Sequence, residues 1–100
     1  MGNRQRASPS EMRVIFSVEA VADLEHIRAY IGERSPAAAS RVAVQLVAAC
    51  DRLEYMSERG RLSSVEGVRE LSTVWPYVIA YRITETAVEI VRVWHGAQHR

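Results

Sequence analysis

The sequence predicts a small α+β domain in which a mostly antiparallel sheet carries two helices on one face. Three observations predict it. A short alternating segment comes first, two longer segments with helical spacing follow, and three strand-length apolar runs close the chain. The order is strand, helix hairpin and three-stranded meander, which gives one layer of helices packed against one sheet. The other face of the sheet is expected to be open.

The first strand is predicted over residues 12–17, a segment that is rich in β-branched and aromatic residues. Ser17 can then cap a helix over 18–33, because its side chain can accept a backbone N–H from the first turn. Apolar residues recur along this helix at steps of four, three and four, which gives it one apolar face. These residues are Ala20, Leu24, Ile27 and Ile31.

The second helix is predicted over 36–57 and begins after Ser35. Proline disfavours helix in the residue before it but suits the first helical position, so Ser35 and Pro36 end one helix and start another. Helices joined by so short a turn pack side by side as an antiparallel hairpin. The apolar face of the second helix comprises Val42, Leu46, Ala49, Leu53 and Met56.

A loop is predicted from Glu58 to about Gly67, and strands are predicted near 68–73, 77–84 and 87–94. The short connection between the last two strands suits a tight hairpin. Residues 1–10 are polar and lack any pattern, which predicts a disordered tail. Residues 11–100 are then expected to form a single domain.

Composition narrows the classes of function. The net charge is only +1, so nucleic-acid binding would require a local basic patch. All thirteen cationic side chains are arginine, which reflects either selection for phosphate contacts or the codon usage of a GC-rich genome. The single cysteine, Cys50, is expected to be buried and inert. No apolar stretch is long enough to span a membrane and no signal-peptide pattern opens the chain, so a cytoplasmic protein is predicted.

Three side chains in the last strands are candidates for a catalytic site, namely Arg69, Arg82 and His95. On a concave, twisted sheet, two arginines could stabilise the charge that develops during phosphodiester cleavage, and a histidine could transfer a proton. The 2′-hydroxyl of RNA would be the nucleophile, so no cofactor is needed. A metal site is not expected, because the histidines lack a third ligand. Arg61 and Trp94 are candidate RNA-binding residues.

Each of these residues also has a structural interpretation. An arginine on an antiparallel sheet often pairs with a cross-strand glutamate, and Glu70 and Glu89 are available to Arg82 and Arg92. His95 precedes a glycine and could simply end its strand. Trp75, in the connection before the second of the last three strands, is expected to be exposed on a binding surface.

With these residues in view, the chain resembles the RelE/ParE superfamily of bacterial type II toxins, often called plasmid stabilization proteins. The similarity covers about residues 12–98 and depends on the order of several short motifs. These are Ala20-x-x-Asp23-Leu24, Tyr30-Ile31, Ser35-Pro36-x-Ala38-Ala39, Gly60-Arg61, Val68-Arg69-Glu70-Leu71, Tyr81-Arg82-Ile83 and Val91-Arg92-Val93-Trp94-His95-Gly96.

The resemblance implies a growth-inhibiting toxin that a cognate antitoxin holds inactive in a hetero-oligomer. RelE-like members cut mRNA on the ribosome without a metal, and Arg69, Arg82 and His95 match their basic and proton-transferring positions. Ribosome-dependent mRNA cleavage is therefore the expected mechanism. The alternatives are ParE-like, non-enzymatic inhibition of DNA gyrase and a degenerate toxin that only binds antitoxin. The absence of lysine and the near-neutral charge depart from the RelE pattern.

Overall fold

A computed structural model describes residues 12–97, so the predicted tail over 1–10 lies outside the described residues. Two helices pack on one face of a five-stranded sheet, which confirms the predicted fold class. The strands are β1 (Arg13–Phe16), β2 (Arg61–Leu62), β3 (Arg69–Leu71), β4 (Tyr77–Ile83) and β5 (Ala87–His95), and the helices are α1 (Val18–Gly32) and α2 (Pro36–Asp51).

The sheet order is β1-β5-β4-β3-β2. Strand β1 runs parallel to β5, and every other neighbouring pair is antiparallel. The first strand therefore lies beside the last one at an edge of the sheet. The parallel pairing is possible because both helices lie between β1 and β5 in the chain and return it to the same sheet.

The helix caps form as predicted. The side chain of Ser17 accepts a hydrogen bond from the backbone N–H of Ala20 at 3.0 Å, and α1 begins at the next residue after this cap. Ser35 accepts from the N–H of Ala38 at 3.1 Å, with Pro36 at the first helical position of α2. Each serine provides an acceptor for a backbone donor that has no partner within its helix.

Two predictions about the middle of the chain were wrong. Helix α2 ends at Asp51 and not near 57, because the chain tightens into a 3-10 turn over Arg52–Glu54. This turn buries Leu53 in the core but leaves Met56, predicted on the same apolar face, half exposed. The predicted loop also contains the short strand β2, whose two residues pair with β3.

The core lies between the hairpin and the sheet. Leu46 and Cys50 of α2 are fully buried against side chains of the central strands, including Ile79, Tyr81 and Ile90. Burial raises the pKa of the Cys50 thiol to about 12, with a smaller contribution from the neighbouring Asp51 carboxylate. The thiol therefore stays protonated at neutral pH, as the sequence predicts for an inert cysteine.

Tyr81 connects this core to the loop that follows α2. Its hydroxyl accepts a hydrogen bond from the N–H of Gly60 at 2.7 Å and donates one to the carbonyl of Ser57 at 2.8 Å. Gly60 lies so close that a Cβ there would be 2.7 Å from this hydroxyl and 2.8 Å from the carbonyl oxygen of Glu70. A side chain at this position would therefore break the hydrogen bonds between the Tyr81 hydroxyl and the loop.

We predict that Tyr81→Phe lowers the free energy of unfolding by about 1–3 kcal/mol, because the buried N–H of Gly60 loses its acceptor. Tyr55→Phe is the matched control, since Tyr55 is 59% exposed. Urea denaturation measures both variants. Equal stability of the two variants would show that the hydroxyl of Tyr81 does not hold the loop.

Candidate functional site

The three predicted catalytic residues do not lie together. Arg69 pairs in register with Tyr81 and His95 pairs with Tyr77, so both point to the helix-covered face of the sheet. Their partners are four residues apart along β4, which separates them by about 13 Å along the strand. Arg82 is the residue after Tyr81 and points to the opposite, open face.

A β-bulge in β5 explains part of this arrangement. Ala80 pairs with Arg92 but Tyr81 pairs with Ile90, so Val91 has no partner across the ladder. Strict alternation along β5 would place His95 on the face opposite to Ile90, but the extra residue reverses the two faces in the second half of the strand. Ile90 and Val93 are both buried under the helices as a result, and His95 follows them.

Arg69 donates hydrogen bonds to the loop between α2 and β2, the same loop that the hydroxyl of Tyr81 contacts. Its Nη1 donates to the carbonyl of Gly60 at 2.7 Å and to the carbonyl of Glu58 at 3.3 Å. Two peptide carbonyls therefore occupy donors that a phosphate would need. The role of this guanidinium in the described structure is to fix the chain between α2 and β2.

The arginines at 82 and 92 both have carboxylate partners. Arg82 lies opposite Glu89, with 3.7 Å between Nε and Oε1, and both side chains are more than two-fifths exposed. Arg92 pairs with Asp23 of α1, not with a cross-strand glutamate. Its Nε and Nη2 donate to the two carboxylate oxygens at 2.8 and 3.0 Å. This bidentate pair raises the pKa of Arg92 further above its ordinary value.

The two predicted RNA-binding residues lie on the open face. Arg61 stands opposite Glu70 in the β2–β3 ladder, and Trp94 stands opposite Val78. Arg82 is on the same face beside Glu89. Carboxylates therefore alternate with guanidinium groups across this surface, and the face is a mixed-charge surface and not a basic patch.

His95 lies in a cleft of about 440 Å³ between the second half of α1 and the ends of β4 and β5. The cleft is lined by His26, Ile27, Tyr30, Tyr77 and His95. The rings of Tyr77 and His95 meet edge to face, with centroids 5.4 Å apart. Nδ1 of His95 accepts the N–H of Ala97 at 3.0 Å, an arrangement that leaves Nε2 to carry the proton in the neutral ring.

Sequence reasoning did not include His26 and Tyr30 among the site residues. They are four residues apart on α1 and so share one side of the helix, a spacing visible in the sequence. Tyr77, the first residue of β4, is half-buried and packs against the core. Burial, followed by the nearby Tyr30, raises the pKa of its hydroxyl, so it stays protonated at neutral pH.

Within residues 12–97, no three histidine, cysteine or acidic side chains come close enough to hold a metal ion. No helix in the same range is long and apolar enough to cross a membrane. Trp75 is 81% exposed, as the sequence predicts.

The family model of the ParE toxin of type II toxin-antitoxin systems, parDE, matches residues 14–100. The chain belongs to the ParE toxin family. This confirms the resemblance found in the sequence and makes the protein a toxin of a type II toxin-antitoxin system.

Two similar toxins support the assignment to this family. The chain is 46% identical over 86 residues to the toxin RelE2 of Caulobacter vibrioides, covering 86% of this chain and 97% of that toxin. It is 38% identical over 90 residues to the toxin RelE1 of the same bacterium, covering 87% of this chain and 96% of that toxin. Family members thus carry both RelE and ParE names, and a name alone does not decide the mechanism.

Solved structures share the fold. A chain of the chromosomal ParDE toxin-antitoxin system of P. aeruginosa superposes with a TM-score of 0.76 at 27% identity, covering 86% of this chain and 97% of that one. A chain of the RelBE2 toxin-antitoxin complex of Mycobacterium tuberculosis gives 0.62 at 26% identity, covering 91% of this chain and 98% of that one.

Asp23, which the sequence marks only as part of a family motif, accepts three hydrogen bonds from β5. Besides the guanidinium of Arg92, its carboxylate accepts the N–H of Val93 at 2.8 Å. We predict that Asp23→Ala lowers the free energy of unfolding by about 1–3 kcal/mol, because this N–H loses its acceptor. Chemical denaturation measures the change.

Arg82→Ala is the matched comparison, since its ion pair is exposed. We expect it to change the free energy of unfolding by less than about 1 kcal/mol. If Arg82→Ala were as destabilising as Asp23→Ala, the two pairs would be equivalent and Asp23 would have no special role.

Proposed function

We propose that this ParE-family toxin arrests growth by binding DNA gyrase and inhibiting it without cutting nucleic acid. The observation that carries the proposal is the dispersal of the residues that a nuclease would need. Arg69 and His95 lie apart on the helix-covered face, and Arg82 lies on the open face. A phosphodiester cannot contact groups on both faces of a sheet at once, so catalysis by this set lacks the required geometry.

Electrostatics supports the same mechanism. The chain carries a net charge of +1. The guanidinium groups of Arg69, Arg82 and Arg92 are engaged by carbonyls or carboxylates of the protein itself. Attraction to ribosomal RNA grows with the number of phosphates that a protein neutralises, and few free cations remain on these strands. Recognition of a protein surface does not depend on such a field.

An antitoxin is proposed to hold the toxin inactive in a hetero-oligomer. The proposal draws on family membership and on the similar chains from the ParDE system and the RelBE2 complex, which are described as parts of toxin-antitoxin assemblies. Antitoxin segments of this kind fold on binding and cover the surface that the target would contact. A degenerate toxin that binds antitoxin but no target would not arrest growth when expressed alone.

Ribosome-dependent mRNA cleavage is the second candidate, and one observation favours it. His95 lies in a cleft with His26 and two tyrosines, and an imidazole there could transfer a proton. In this alternative Arg69 and Arg82 would contact phosphate, and Arg61 and Trp94 would bind the RNA chain. The site would then have to be rebuilt on the ribosome, because the described arrangement separates its members.

Induced expression of the toxin without antitoxin distinguishes the mechanisms. We predict growth arrest, induction of the DNA-damage response and unchanged mRNA 5′ ends. We also predict that His95→Ala and Arg82→Ala remain toxic, because neither residue acts in chemistry. Growth curves, a damage-response reporter and sequencing of RNA ends measure these outcomes.

The contrary result is equally specific. New 5′ ends within translated codons, together with loss of toxicity in a folded His95→Ala variant, would establish RNA cleavage and overturn gyrase inhibition. Normal growth after induction of the wild-type chain would identify a degenerate toxin. Co-expression of the antitoxin is the control, since it must restore growth in every toxic case.

A further inference from the structure

The cleft that contains His95 is lined almost entirely by aromatic rings, and we call it the aromatic cleft. The rings of His26 and Tyr30 come from α1, and those of Tyr77 and His95 come from the ends of β4 and β5. Ile27 is the remaining lining residue. The volume of about 440 Å³ falls within the range of small-molecule sites in proteins, which is roughly 300–1,000 Å³. Tyr30 is 65% exposed, so a ligand can enter from solvent.

The four rings border the cleft from different directions. Tyr77 and His95 have an interplanar angle of 80°, so they form two walls that meet nearly at a right angle. His26 and Tyr30 are four residues apart on α1 and line the cleft from the helix side. Rings arranged around a space in this way form the aromatic cages in which proteins bind quaternary ammonium groups, because the face of each ring carries partial negative charge.

The charge around the aromatic cleft also favours a cation. Among residues 12–97, no arginine, aspartate or glutamate lines it. Helix α1 ends at Gly32 with Glu33 as its C-cap, and its last turn, which contains Tyr30, has no basic residue. Arg34 follows in the turn before α2 but does not line the cleft. Because the C-terminal end of a helix carries a partial negative charge, a cation beside Tyr30 is attracted by the helix as well as by the rings.

Other classes of ligand fit the aromatic cleft less well. An anion such as phosphate would need the basic side chains that this lining lacks, and the C-terminal end of α1 would repel it. A neutral aliphatic ligand of the same size would gain only the hydrophobic contribution. A weakly hydrated organic cation gains that contribution and the attraction of the ring faces together.

We propose that the aromatic cleft is a binding site for a small organic cation of the quaternary ammonium class, with the charged head group between Tyr30, Tyr77 and the two imidazoles. The proposal goes beyond inhibition of gyrase and does not depend on it. Such a ligand contacts α1 and the ends of β4 and β5 at once, so its binding stabilises the folded toxin by mass action.

The experiment titrates the purified toxin with choline and follows the aromatic signals of its histidines and tyrosines by NMR. Choline is expected to shift the signals of the cleft residues saturably. The neutral isostere of choline, in which a tert-butyl group replaces the trimethylammonium group, should bind at least about tenfold more weakly, because it lacks the charge.

Variants at one exposed position separate the ring from its hydroxyl. Tyr30→Leu should weaken choline binding about tenfold, whereas Tyr30→Phe, which keeps the ring, should bind within about twofold of wild type. Tyr55→Leu is the matched control outside the cleft, since Tyr55 is 59% exposed, and it should bind choline as wild type does. Thermal melting gives a second readout: choline should raise the midpoint of wild type but not that of Tyr30→Leu.

The contrary results are distinct from one another. If choline causes no saturable shift, or if its neutral isostere binds as tightly, the cleft does not recognise a cation. If Tyr30→Leu binds choline as tightly as wild type, the cation binds elsewhere on the toxin. If inorganic phosphate or adenosine shifts the signals of the cleft residues and choline does not, the ligand class is an anion or a nucleobase and the proposal is overturned.

Discussion

Strand β5 can carry an unpaired residue in its middle because Ser17, the N-cap of helix α1, and Asp23 within that helix supply hydrogen bonds that a neighbouring strand would otherwise supply. Strand β1 ends opposite Ile90, and Ser17 then takes over: its N–H donates to the carbonyl of Ile90 at 3.0 Å and its hydroxyl donates to that of Val91 at 3.0 Å. Asp23 accepts the N–H of Val93. These contacts satisfy backbone groups along the edge of β5 at the bulge, whose burial without partners would be costly.

The bulge determines which side chains face the helices. Because Val91 is unpaired, Ile90 and Val93 both enter the core, and His95 reaches the cleft beside α1 instead of the open face. Arg82 remains on the open face with its glutamate. The separation of histidine from this arginine thus follows from one extra residue in a strand, held by two polar side chains of another element.

Much of the fold could be predicted because its signals are local. Ser17, Ser35 and Pro36 determine the helix starts through contacts within a few residues, and the spacing of apolar residues identifies the helix faces. Strand β2 could not be predicted, because its two residues are a strand only through pairing with β3. The bulge was missed for a similar reason: its partners, Ser17 and Asp23, are about seventy residues away in sequence. The sequence suggested that Arg69, Arg82 and His95 could meet on one concave surface of a twisted sheet, and without knowledge of the bulge it could not place His95 on the helix-covered face.

We propose that the toxin inhibits gyrase and cleaves no RNA. Purified toxin added to purified DNA gyrase and relaxed plasmid tests it most directly, with cleavage of ribosome-bound mRNA assayed in parallel. We predict that supercoiling stops at toxin concentrations near those of the enzyme, equally for wild type and for the Arg82→Ala, His95→Ala double variant, and that mRNA stays intact. Unimpeded supercoiling together with mRNA cut on the ribosome by wild type but not by the double variant would contradict it.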